Sequence, residues 1–207
     1  MMLNIDHLNI SYNHTPAVQD LSLAVGAGQI VGIAGESGSG KSTMLRSITG
    51  LLGKEGKITS GDIWFENRQL QLLGEKEMEK IRGKDISMIF QQPESSFDPV
   101  TTIGKQFCEA LGVHEKISKK EALGRGMVLL KKLHFPDPER IMDSYAFELI
   151  GGMCHRAAIA LGMVCNPKLL LADEPTSALD VTVQSQTADA LMELRENFGT
   201  AILMVTH

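Results

Sequence analysis

The sequence predicts an α/β protein with a mainly parallel sheet, and three observations predict it. The apolar run Gln29-Ile30-Val31-Gly32-Ile33-Ala34 leads through the glycine loop Gly35-Glu36-Ser37-Gly38-Ser39-Gly40-Lys41-Ser42-Thr43 into helix-compatible Met44-Leu45-Arg46-Ser47-Ile48. A second apolar run, Lys168-Leu169-Leu170-Leu171-Ala172, ends on the paired acids Asp173-Glu174. From there a helix over about Val181–Asn197 and a strand over Ala201–Val205 follow, the spacing of right-handed crossovers that lay strands side by side and parallel. An antiparallel β subdomain at the N-terminus and a helical subdomain complete the expectation.

Taken in order, Leu3, Ile5, Leu8, Ile10 and Tyr12 alternate as in a half-buried strand, and Asn13-His14-Thr15-Pro16 makes a turn. Ala17–Val25 reads as a second strand, closed by Gly26-Ala27-Gly28, and Gln29–Ala34 as a third. After the loop helix, Gly50–Gly61 is glycine-rich and reads as a break. Asp62–Glu66 is a strand turning at Asn67-Arg68, Glu75–Arg82 a short charged helix, and Ile86–Phe90 a strand. The character then changes: Thr102–Gly112, Ser118–Leu133 and Pro138–Ser144 are helical by composition and spacing, separated by Pro136 and Pro138. The domain expectation is one unit over 1–207, with 1–94 and 164–207 as its core and 95–163 as a helical insertion.

Bulk properties exclude several classes. The 207 residues, 43% hydrophobic and 22% charged, are ordinary globular composition and enough for one sizeable core. A net charge of −5 without long runs of one sign argues against strong non-specific nucleic-acid binding. Cys108, Cys154 and Cys165 are odd in number and unclustered, as reduced thiols are, rather than a disulfide framework or zinc site. No apolar run approaches the roughly 18 residues of a membrane span. The start lacks a signal-peptide pattern, so the expected protein is intracellular and reaches a membrane only through partners.

The loop Gly35–Thr43 fits G-x-x-x-x-G-K-[ST]. Gly35, Gly38 and Gly40 let the backbone turn so that N–H groups of Ser37, Ser39 and their neighbours point inward as an anion nest, and the following helix adds its positive end. Lys41 is placed to reach the β and γ phosphates of a nucleotide, and the Ser42 hydroxyl to complete a Mg²⁺ shell, with Thr43 beside it. Asp173 and Glu174, held at the tip of a buried strand, supply the other half: Asp173 toward Mg²⁺ through water, Glu174 toward the attacking water.

Asp173-Glu174-Pro175-Thr176-Ser177-Ala178-Leu179-Asp180 resembles the Walker B motif and D-loop of ABC transporter ATPase subunits, and the resemblance runs over essentially the whole chain. It implies that Tyr12 stacks on adenine, that Gln91 of Phe90-Gln91 contacts the metal and attacking water, and that His207 touches the γ-phosphate. It implies ATP and Mg²⁺ as cofactors and a head-to-tail pair of ATP-binding subunits. It also implies permease subunits, an extracytoplasmic solute-binding protein acting through them, and a place on the cytoplasmic face of the inner membrane. Phe90-Gln91-Gln92-Pro93, Ser96–Gly104 and Ala178–Gln184 are similar to segments of dipeptide, oligopeptide and nickel importers. Ser96-Phe97-Asp98-Pro99 and Tyr145-Ala146-Phe147-Glu148 lean toward the nickel or metal-chelate branch.

Two departures stand out. The family signature Leu-Ser-Gly-Gly-x-x-Gln, followed by Arg, opens a helix that caps the partner's γ-phosphate; here the segment is Leu149-Ile150-Gly151-Gly152-Met153-Cys154-His155-Arg156. Gly151 and Gly152 keep backbone N–H groups for a phosphate, but Ile150 donates nothing in the serine's place. One lost charge-assisted bond costs about 1.5–3 kcal/mol, about ten- to a hundredfold. His155 replaces the glutamine. The chain also stops on His207 where relatives continue, so a truncated chain with an apolar sheet edge is expected.

The leading expectation is therefore the ATPase subunit of an importer for peptides, nickel or a metal chelate. The alternatives are a nucleotide-binding, hydrolysis-impaired partner subunit and a non-functional truncated remnant. A soluble ABC-type ATPase of DNA repair or translation is opposed by the charge and by the importer-type segment after Phe90.

Overall fold

The computed structural model describes residues 1–150, 152–176 and 181–206, with only the backbone of Val181, Thr182 and Gln186. In chain order the strands are β1 (Leu3–Tyr12), β2 (Thr15–Val25), β3 (Ile30–Ala34), β4 (Gly56–Phe65), β5 (Arg68–Gln69), β6 (Ile86–Ile89), β7 (Leu169–Asp173) and β8 (Ala201–Thr206). The helices are α1 (Lys41–Ile48), α2 (Glu75–Ile81), α3 (Ile103–His114), α4 (Lys119–Lys132), α5 (Pro138–Asp143), α6 (Gly152–Met163) and α7 (Val181–Phe198).

The strands form two four-stranded sheets. One is antiparallel in the order β2-β1-β4-β5, and the other is parallel in the order β3-β8-β7-β6. In β1 the alternation buries Leu3 and Ile5, then slips so that Leu8 and Ile10 face the same core. The slip is a bulge shared by three strands: His7, Asp20 and Gly61 all have positive φ, and both neighbours of β1 shift register there. A Cβ on Gly61 would overlap the His7 carbonyl, so glycine is required at that crossing.

The break read over Gly50–Gly61 is corrected by β4, which begins at Gly56 and pairs with the far end of β1 at Tyr12. Local sequence argued for a loop, but the partner strand supplies the hydrogen bonds. Gly56 is needed because a Cβ there would press on the Tyr12 ring and on Leu52.

The helical stretch is legible in its caps. Ser118 and Glu121 form a reciprocal capping box at the start of α4, and Asp137 caps α5 with Pro138 in its first turn. These helices do not hold a core of their own. Phe107, Leu130, Ile159 and their neighbours share one cluster with Leu170 and Ile202 from one face of the parallel sheet and Leu191 and Leu194 from α7. The opposite face, through Leu169, Leu171, Leu203 and Val205, packs with α1 and the antiparallel sheet. The central strand β7 is thus buried along its whole length and β8 nearly so, which is why they read as continuous apolar runs, whereas β3 at the edge is only partly covered. Among the described residues no helix is long and apolar enough to cross a membrane.

Candidate functional site

The parallel sheet brings three chain segments to one edge. Its register aligns Ala34 with Thr206, Val205 with Asp173, and Ala172 with Ile89, so the C-terminal ends of β3, β8, β7 and β6 lie level. The loop Gly35–Gly40 leaves β3, Asp173 ends β7 with Glu174 directly after it, and Gln91 lies just past β6. Ligands of open α/β sheets bind outside this end.

The glycine loop has the shape its sequence demands. Gly38 and Gly40 are left-handed, and a Cβ on Gly40 would overlap the Ala17 carbonyl oxygen. No side chain caps α1 and no acid lies in its first turn, in contrast to α4 and α5. Its leading N–H groups are therefore left for an external acceptor, and a phosphate is the acceptor they suit. Lys41 is only 8% exposed and donates to the carbonyls of Gly35 (2.6 Å) and Glu36 (2.8 Å), so its ammonium is held across the mouth of the loop. Gly35 and Ser39 face each other across the loop, Ser37 is exposed and Thr43 is half-buried.

Two long-range hydrogen bonds join the segments. Ser42 Oγ donates to Asp173 Oδ1 at 2.7 Å, and Gln91 Nε2 donates to Glu174 Oε2 at 2.7 Å. Burial pushes the Asp173 carboxyl above its ordinary value, against the opposing pulls of the Ser42 bond, Arg46 and Lys41, with Glu174 adding to the rise. Glu174 is buried with φ 48°, an uncommon backbone state for glutamate, and its N–H donates to the Val205 carbonyl at 3.0 Å. From that position its carboxylate meets Gln91.

The raised Asp173 value has a measurable consequence. A carboxyl whose folded pKa exceeds its unfolded value costs stability once pH is above the folded value, and the cost disappears as the group is protonated. At neutral pH the full cost is present, so Asp173→Asn is expected to raise the Tm of the ligand-free chain. The gain should shrink as pH falls through the folded Asp173 value. A variant that melts below the parent at neutral pH would refute this.

The structure does not bring every expected residue to this edge. A cleft of about 340 Å³ adjoins the loop, lined by Pro16, Ala17, Val18 and Leu21 of β2 together with Ser39, Gly40 and Lys41. Tyr12 is not among its lining residues; it sits at the end of β1, facing Thr15 and Gly56. The β2 wall of this cleft was missed by sequence reasoning, and its only local signal was Val18 as a buried strand position. Gly151, His207 and Ser177–Asp180 lie outside the described residues. Gly152 opens α6 and packs on α7, where a Cβ would overlap Val183 Cγ1. Ile150 stands 82% exposed ahead of it. Arg156 turns inward from α6, its Nη1 donating to the Leu133 carbonyl at 3.1 Å while the guanidinium lies 4.8 Å from the Phe135 ring centre.

A phosphate loop, a strand-borne pair of acids and a glutamine between them, on a parallel sheet with an attached antiparallel sheet, define a nucleotide-binding cassette. The chain belongs to the ABC transporter family, whose match spans residues 18–177. It is 46% identical over 193 residues to the oligopeptide transport ATP-binding protein AppD of Bacillus subtilis (strain 168), covering 93% of this chain and 59% of that protein. It is 43% identical over 211 residues to the oligopeptide transport ATP-binding protein OppD of Escherichia coli (strain K12), covering 100% of this chain and 62% of that protein. The chain thus spans about three fifths of the length of the curated relatives it matches. Among solved structures it is similar to the dimeric post-hydrolysis state of the ATP-binding cassette MJ0796 bound to ADP and Pi. That match has a TM-score of 0.87 and 31% identity, covering 100% of this chain and 88% of that one. It is also similar to cbiO1 from Clostridium perfringens, described as part of the ABC transporter complex cbiONQ. Here the TM-score is 0.82 at 29% identity, covering 100% of this chain and 78% of that one.

Proposed function

We propose that this chain is the nucleotide-binding part of the ATP-binding subunit of an ABC importer, and that ATP hydrolysis at its site drives peptide uptake. The observation that carries the reading is the pair of hydrogen bonds that ties Ser42 to Asp173 and Gln91 to Glu174. Together they gather the phosphate loop, both acids and the glutamine at one sheet edge. The peptide class follows the names of the relatives; no metal is named in them to match the nickel or metal-chelate lean of Ser96–Pro99 and Tyr145–Glu148.

In this reading the backbone N–H groups of the loop and the first turn of α1 bind the phosphates, and Lys41 moves from the Gly35 and Glu36 carbonyls to the β and γ oxygens. Mg²⁺ fits the oxygen pair Ser42 Oγ and Asp173 Oδ1, because a buried carboxylate short of positive charge is a suitable partner for a hard dication. When bound, the ion would neutralise charge building on the phosphate oxygens. With Nε2 committed to Glu174, the Gln91 amide keeps its oxygen for the ion or the water. Glu174, oriented by Gln91, takes the proton of the attacking water. Tyr12 and His207 keep the roles implied for them, adenine stacking and γ-phosphate contact, as part of the same proposal. The assembly is two ATP-binding subunits beneath permease subunits, peripheral to the cytoplasmic face of the membrane, with a solute-binding protein outside. The core comprises 1–94 and 164–207, and 95–163 is the helical subdomain.

The test is thermal unfolding of the chain with and without Mg·ATP. At about a hundred times Kd a ligand adds about 2.7 kcal/mol. For a domain of this size that is a rise of about 5–10 °C. An unchanged Tm at saturating Mg·ATP would sink the reading.

A second reading, a subunit whose partner's nucleotide is poorly hydrolysed, is favoured by one feature: exposed Ile150 offers no donor where the signature has a hydroxyl. Ile150→Ser is expected to raise turnover of the assembled transporter about ten- to a hundredfold by adding one charge-assisted bond. Steady-state phosphate release measures it, and an unchanged rate would show that Ile150 is not what limits hydrolysis.

A further inference from the structure

Helix α6 and the 3₁₀ turn Pro93–Ser96, which follows Gln91, pack on one another, and a titratable pair is set between them. His155, in the first turn of α6, is 8% exposed, and neither Nδ1 nor Nε2 has a hydrogen-bond partner among the described residues. Its Nδ1 lies 4.0 Å from Glu94 Oε1, too long for a hydrogen bond and one small movement from making it. Glu94, by contrast, is largely solvent-exposed.

A neutral imidazole buried with both nitrogens bare is an unfavourable state, whereas the charged ring carries two donors and faces a carboxylate. Burial opposes charging and pushes the ring below its ordinary value, and Glu94 pulls it upward by a smaller amount. At neutral pH the ring is therefore uncharged and the contact unmade; acidification charges it. The other elements packed on α6 are α3, α4, β6 and α7. Among the described residues Glu94 is the one charged group that acts on the ring. On α6 itself, the Cys154 thiol is pushed up to about 12, chiefly by burial, and stays neutral. Arg156 Nη1 donates to the Leu133 and His134 carbonyls, its buried Nε has no partner among the described residues, and its charge does not act on the ring.

We propose that His155 and Glu94 form a proton-operated latch between α6 and the segment carrying Gln91, open while the ring is neutral and closed when it is charged. His155 acts as a positioning residue, and the inference rests on the proposed role of Gln91 in hydrolysis. Closing the latch draws Glu94 from 4.0 Å toward the ~2.8 Å of a charge-assisted bond. Gln91, three residues upstream, moves with it, and its 2.7 Å bond to Glu174 is the contact that changes. The water-orienting geometry thereby becomes dependent on proton concentration.

The test follows the ¹⁵N-labelled His155 ring and the Gln91 side-chain amide by NMR between about pH 4.5 and about pH 8, spanning the ordinary histidine range. The Gln91 amide is expected to shift with the His155 midpoint, and to lose that inflection in His155→Gln. In Glu94→Gln, at an exposed position that folding tolerates, the His155 midpoint is expected to fall, because the carboxylate that pulls it upward is gone. Turnover of the assembled transporter should show the same midpoint, absent in His155→Gln. A Gln91 resonance indifferent to His155, or a midpoint unmoved by Glu94→Gln, overturns the latch. Absence of turnover at every pH would instead refute the hydrolytic reading, and the two NMR observations would still decide the latch.

Discussion

Glu174→Gln is expected to abolish ATP turnover while leaving ATP binding intact. The substitution preserves side-chain length and the capacity to bond Gln91 Nε2, which donates to Glu174 Oε2 at 2.7 Å in the parent. It removes the carboxylate's charge and with it the ability to accept a proton from water. General-base assistance is worth about 10²–10⁴-fold, so phosphate release by the assembled transporter should fall by about that factor, with nucleotide affinity unchanged within error. The position also resists rearrangement, because Glu174 is buried and its backbone is held in the left-handed region by the bond to Val205. Turnover within about tenfold of the parent would mean that the base is another group, since so small a loss is less than a base supplies.

Lys41→Ala is expected to remove the Mg·ATP-induced rise in Tm. The ammonium now makes two bonds, to Gly35 and Glu36 carbonyls, and in the proposed function both are exchanged for phosphate oxygens when nucleotide enters. Two charge-assisted bonds at about 1.5–3 kcal/mol each give a loss of about 3–6 kcal/mol. That is about 10²–10⁴ in affinity, enough to take a ligand at a hundred times Kd to half-saturation or below. The ligand-free variant should also melt somewhat lower, because the carbonyls lose their donor in a nearly buried place. Isothermal titration beside the melting curves separates the two effects. Full retention of the ATP-dependent rise would place the nucleotide away from this loop.

The sequence by itself determined the elements whose causes are local. Gly38 and Gly40 adopt the left-handed turns that the loop spacing calls for, Lys41 opens α1, and an unbroken apolar run buries β7 on both faces before it ends in acid. The capping box at Ser118 and the proline at the head of α5 set helix starts within a residue or two of the reading. Each depends on neighbours a few positions away, so chain order was enough.

What tertiary structure alone decided depends on partners far along the chain. β4 could not be read from Gly50–Gly61 because its early half owes its strand form to Ile10, Ser11 and Tyr12 of β1, and its glycines to close crossings with that strand. The sequence marked 95–163 as a helical insertion but not what it packs on: it takes Leu170 and Ile202 from the sheet into its core. The cleft wall of Pro16–Val18 exists only because Gly40 lies against Ala17. Ser42 meets Asp173, Gln91 meets Glu174, and His155 faces Glu94 because the parallel register and the packing of α6 set them side by side. Residue types named the chemistry available to this chain; the sheet, which levels four strand ends at one edge, brought those residues within bonding distance.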